Sequence, residues 1–146
     1  MKNHSSILLI LALLTLWVAP SFAADPPPEA NQPGQKRVVA TMDADGVQRV
    51  EVTGGEYYFE PSQIVVRVNQ PVELKVRKTG GFIPHNIIVK APEAGINFNV
   101  GLGDKFQAIR FTATKTGKYA IYCDKRFLWF QTHQEKGMEG TIEVVE

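Results

Sequence analysis

The chain has 146 residues, 44% of them hydrophobic, with 16 basic against 15 acidic side chains. That is enough for one domain with a real core and too little for two. A chain so near neutrality has no strong electrostatic pull toward nucleic acid or anionic lipid, and both are set aside as partners.

Taken from the start, "MKNHSS" carries one basic side chain, Lys2, and no acid. The apolar run "ILLILALLTLWVA" follows, and then "PSFAAD", with Ser21 and Ala23 placed as the −3 and −1 residues of a cleavage site. This is the layout of a secretory signal peptide over residues 1–23. The run is shorter than the ~20 residues a bilayer-spanning helix needs. Cleavage would remove Lys2 and His4 and leave 15 basic against 15 acidic residues. The sequence therefore predicts an exported, periplasmic chain with no membrane insertion once the signal is gone. Residues 24–46 begin with "ADPPPEANQPGQ", which has no apolar periodicity and reads as a flexible spacer. Within the same segment "MDADG" lacks the spacing and closing Glu of a calcium loop and reads as a turn.

From Val47 the pattern is that of strands, and the domain is placed at residues 47–146. In "QIVVRV", Ile64, Val66 and Val68 share one face. In "PVELKVRK", Val72, Leu74 and Val76 alternate with charged residues, the period of a half-buried antiparallel strand. "NIIVK", "FQAIRFT", "KYAIYC" and "GTIEVVE" read the same way, with turn residues between them. "GFIPH" and "APEAGINFNVG" read as longer irregular connections. Short strands at this spacing predict an all-β Greek-key sandwich or barrel. Alternation aims Cys123 inward with Tyr119 and Ile121, and Tyr122 outward. Counting back from Val89 and Ile87 turns His85 inward as well.

Cys123 is the single cysteine, so no internal disulfide can form. An idle exposed thiol is a liability in an exported protein, so Cys123 is either buried or held by something. Near it in sequence stand His133 and Met138, and upstream stands His85. Two imidazoles, one thiolate and a thioether make the ligand set of a mononuclear copper electron-transfer site. Zinc would accept two His and one Cys, but a structural zinc site usually takes four strong ligands, and Met138 is a poor one. A cysteine hydrolase would need an oxyanion hole and an orienting third residue, and neither is visible.

"PHN" at Pro84–Asn86, "GKYAIYC" at Gly117–Cys123 and "HQEKGMEG" at His133–Gly140 resemble the cupredoxins, in particular plastocyanin-like and azurin-like type 1 copper proteins. The resemblance covers roughly residues 47–146. It implies one copper ion per chain, cycling between Cu(II) and Cu(I). His85, Cys123 and His133 would be ligands, with His133 near solvent and Met138 axial. Asn86 would brace the ligand loop close to the sulfur, and Tyr122 would lie on an electron route. It implies a monomeric carrier and no enzyme, with redox proteins of the cell envelope, a cytochrome or a copper oxidase, as partners. The alternative is a copper-binding or copper-tolerance protein.

One departure from the family stands out. Nine residues, "DKRFLWFQT", separate Cys123 from His133, where the family has two to four. The added closure entropy is only ~1 kcal/mol, because it grows with the logarithm of length. The rigidity and potential of the site are what the insertion puts at stake. Phe127 to Phe130 are expected to fold over the sandwich end and shield the metal, with a protein-docking surface as the other reading.

Overall fold

A computed structural model describes residues 36–146, and the proposed signal peptide lies outside them. Eleven strands form two sheets packed face to face. In chain order they are β1 (Arg37–Val39), β2 (Thr41–Met42), β3 (Gln48–Gly55), β4 (Tyr58–Glu60), β5 (Gln63–Arg67) and β6 (Pro71–Lys78). β7 (His85–Ala91), β8 (Ile96–Leu102), β9 (Gln107–Thr112), β10 (Gly117–Tyr122) and β11 (Glu139–Val145) follow. One sheet runs β1-β5-β11-β10-β7-β8, and the other runs β2-β3-β6-β9 with β4 attached to β3.

The period-two pattern decides which faces meet. Val50, Val52, Leu74 and Val76 come from one sheet and Ile87, Ile121 and Ile142 from the other; all are buried in a single cluster. Apolar burial of this kind contributes about 25 cal/mol per Å² and is the main force holding the sheets together. Within the six-stranded sheet, β11 and the start of β5 approach closely at Gly140, where any Cβ would collide with the Ser62 carbonyl.

Three sequence expectations need correction. Among the described residues the sandwich already includes Arg37–Val39 and Thr41–Met42, ahead of Val47, because β1 pairs with β5 and β2 with β3. "VV" at 38–39 is too short to register as a strand without its partner. "INFNVG" is a strand, β8, whose seven residues all pair with β7; its Asn residues hid the alternation. Finally, β6 is antiparallel to β9 but parallel to β3, and β5 is parallel to both of its neighbours. Alternation gives the face of a strand but not the direction of its neighbours.

"MDADG" is a turn, as read from sequence. Arg49 bonds Asp43 at 2.7 Å and Asp45 at 2.7 Å, leaving neither carboxylate free for a cation. Arg49 also holds the Asp45 carboxyl down at about 2.

Candidate metal centre

Strand register puts four connections at one end of the sandwich. His85 opens β7 opposite Leu102, the last residue of β8, and Tyr122 of β10 lies opposite Ile88. The chain beyond Tyr122 therefore passes beside His85. The β3–β4 hairpin, the 79–84 connection, the 103–106 turn and the 123–138 loop all meet here.

Inward parity brings the predicted donors together. Cys123 is fully buried, and His85 and His133 are 4% and 1% exposed. His85 Nδ1 lies 3.0 Å from His133 Nδ1, and Cys123 Sγ lies 3.5 Å from the same nitrogen. All three donor atoms fall within 4.8 Å of one another. Donors about 2.0–2.3 Å from a common ion stand roughly 3–4 Å apart, so the spacing suits one metal ion. The donor set of two imidazoles and one thiol is that of a copper site. Met138 is also fully buried. It lies against Gly54, where an added Cβ would come within 3.2 Å of Met138 Cε. The missing side chain at Gly54 leaves room first for Leu102 and then for the Met138 methyl.

Burial also sets the protonation states. Desolvation first, then His133 and Lys78, hold His85 at about 4. Desolvation and Lys136 lower His133. Both rings are thus neutral with lone pairs to offer. Desolvation raises the Cys123 thiol, against the Asn86 N–H, which favours the thiolate. A metal ion would have to displace that proton, as thiolate ligands require.

The long loop does not loosen this arrangement. A bridge between Arg126 and Thr132 pinches it at the neck. His133 N–H donates to the Lys125 carbonyl at 2.8 Å and Gln134 N–H to the Cys123 carbonyl at 3.1 Å. Met138 N–H donates to the His133 carbonyl at 2.8 Å, and Cys123 N–H to the Met138 carbonyl at 3.2 Å. Cys123, His133 and Met138 are therefore knitted by backbone bonds, with the extra residues extruded.

Asn86 fastens the loop to β7. Its Nδ2 donates to Asp124 Oδ1 at 2.8 Å and Asn99 Oδ1 at 2.9 Å, and its Oδ1 accepts from Asp124 N–H at 3.2 Å. The Asn86 backbone N–H points at Cys123 Sγ, 3.5 Å away. Tyr122 is half-buried, with Lys90 Nζ 6.0 Å from its ring centroid.

Two expectations fail. His133 is buried and not near solvent, because Tyr57 covers it edge-on, ring centroids 5.2 Å apart and planes at 75°. Its Nε2 has no hydrogen-bond partner among the described residues. Tyr57 is held by Lys136, whose Nζ donates to the phenol oxygen at 3.1 Å and sits 4.4 Å from the ring centroid. The second failure is the shield. Phe127, Leu128, Trp129 and Phe130 are all more than half exposed. The pinched neck and the left-handed Leu128 (φ 54°) turn them away from the metal.

Tyr57 and Gly54 are the site residues sequence reading missed. Their one signal is "GGEYYF", a glycine pair and a hairpin turn, and nothing in it points to a residue 76 positions later. Tyr57 itself has φ 63°, a conformation glycine accepts freely. A Tyr57→Gly chain is expected to keep its fold and to lose bound metal to an external chelator about tenfold faster. Unchanged release would show that Tyr57 does not guard His133.

The family model for the cupredoxin-like domain matches residues 7–144. Among solved structures, the chain is similar to the metal-binding domain of the Cu(I)-exporting P-type ATPase CopA of Streptococcus pneumoniae D39. The two share 22% identity over 76% of this chain and 97% of that one, with a TM-score of 0.57. It is also similar to dithionite-reduced auracyanin of Roseiflexus castenholzii, at 22% identity, 73% and 99% coverage and a TM-score of 0.50. Auracyanin A, a "blue" copper protein of Chloroflexus aurantiacus, gives 21% identity, 68% and 100% coverage and a TM-score of 0.50. At these identities the likeness speaks for the fold alone. No curated protein matches the chain.

Proposed function

The chain belongs to the cupredoxin-like domain family, and from that premise we propose that it is an exported mononuclear copper protein that carries single electrons between redox proteins of the cell envelope. The observation that supports this most is the meeting of His85 Nδ1, His133 Nδ1 and Cys123 Sγ in a buried place beside Met138. Copper bound there would supply the one-electron couple between Cu(II) and Cu(I). The residues do the rest. His85, at the start of a buried central strand, is a fixed donor. Cys123 and His133 are held at their spacing by the backbone ring around them, so the donor set has little freedom to rearrange when charge changes. Met138, buried and tied to Cys123 and His133 through the backbone, would offer a weak, polarizable donor. Asn86 directs an N–H at the sulfur, a contact that favours the thiolate. Tyr57 and the buried wall exclude water from His133. The chemistry is transfer of an electron, with no substrate bond made or broken, so the protein acts as a carrier and not an enzyme.

A second reading is copper handling: holding or passing on the metal in a tolerance role. The covered His133 favours it, since a closed ligand edge suits retention.

The test is to load the purified protein with Cu(II) and record its visible and paramagnetic resonance spectra and its potential. A carrier shows a strong thiolate-to-copper band, a reversible couple and rapid exchange with a cytochrome. Copper bound with no reversible couple, and copper sensitivity in cells lacking the protein, would replace this reading with the second.

A further inference from the structure

Eight large hydrophobic side chains stand exposed among the described residues. Six of them, Phe82, Phe106, Phe127, Leu128, Trp129 and Phe130, lie in the connections at the metal end. Phe82 is fully exposed and Trp129 is 81% exposed.

The four consecutive ones form the tip of the extruded loop. Phe130 N–H donates to the Phe127 carbonyl at 3.1 Å, which makes the tip one tight turn. Phe127 and Phe130 stack at 6.5 Å with planes 11° apart, and Trp129 and Phe130 stack at 5.9 Å and 26°. The rings thus stand in a row at the tip, without folding back on the sandwich. The indole N–H is the one polar side-chain group among the four. Lys125 and Arg126 sit at the neck directly below. The nearby acids are engaged elsewhere: Asp124 with Asn86, and Glu135 with the Thr132 N–H and hydroxyl at 2.6 and 2.8 Å.

We propose that this tip seats in the interfacial layer of a lipid bilayer, with its aromatic rings at the headgroup–acyl boundary and Lys125 and Arg126 reaching lipid phosphates. Aromatic side chains favour that depth, and a basic stem can extend its charge to the phosphates. A protein partner fits less well. Protein interfaces ring their apolar centre with hydrogen-bonding groups, and a protruding tip needs a preformed groove, whereas a fluid layer yields to it. The proposed contact is interfacial, and no described helix is long and apolar enough to span a bilayer. With basic and acidic residues nearly balanced, burial of the rings drives the contact, and zwitterionic lipid is sufficient. The inference does not depend on which metal the site holds.

The test uses the full chain with Trp17→Phe, which leaves Trp129 as the one remaining tryptophan. Phosphatidylcholine vesicles with bromine at graded acyl depths are added. Trp129 emission is expected to shift to the blue and to be quenched most by bromine nearest the glycerol. Phe127→Ser with Phe130→Ser should reduce vesicle binding through the tip about tenfold, while circular dichroism and copper uptake stay unchanged. Emission that no bromolipid quenches would overturn the proposal, even if the chain sediments with the vesicles. A blue shift without lipid that grows with protein concentration would overturn it too, in favour of a second copy on the tip.

Discussion

A Cys123→Ser chain supplied with Cu(II) is expected to show no thiolate-to-copper absorption at all. The loss should be complete because Cys123 holds the single sulfhydryl of the chain, and Met138 gives no comparable band. Affinity for Cu(I) should fall by more than the roughly 10–100-fold that losing a supporting residue costs, since a soft ligand is replaced by a hard one. The fold should survive. Serine fits the space of cysteine, and the Asn86 N–H that faces Sγ at 3.5 Å can donate to the hydroxyl instead. Burying that hydroxyl in an apolar site costs about 1–3 kcal/mol. Thermal melting beside the visible spectrum separates the two effects. Retained colour in a folded Cys123→Ser chain would mean that the sulfur is not a ligand.

Asn86→Ala is expected to give the largest effect of any residue that does not itself face the metal. Three hydrogen bonds between β7, Asp124 and Asn99 disappear. One of them runs to a carboxylate, a type worth roughly 1.5–3 kcal/mol, and a total destabilisation of about 2–4 kcal/mol is expected. Metal affinity should drop about 10–100-fold, because Cys123 loses the clamp on the residue that follows it. Asn86→Asp should be worse than its size suggests, since it sets a second carboxylate against Asp124. Denaturant melts and competition with a copper chelator measure both quantities. A folded Asn86→Ala chain with unchanged copper affinity would show that the backbone ring alone sets the site.

Much of the site was legible because strand parity is a strict rule. Once Ile87, Val89, Tyr119 and Ile121 were assigned to a core face, His85 and Cys123 had to follow them inward. The all-β class was legible for the same reason. What stayed hidden depends on partners distant in sequence. Whether β6 runs parallel or antiparallel to β3 is not written in either strand. β1 is three residues long and exists because β5 offers it a free edge. The burial of His133 depends on Tyr57, brought over by a hairpin whose sequence carries no sign of a metal. The loop filling misled for a physical reason. Four apolar residues in a row look like material for a core, and only the Arg126–Thr132 closure reveals that they face away from it.

That closure makes the protrusion an appendage. The metal's surroundings end where the two chain segments meet at the neck, and everything beyond could be shortened, lengthened or exchanged without shifting a donor atom. Descent and engineering can then adjust where this molecule attaches separately from how tightly it grips its ion.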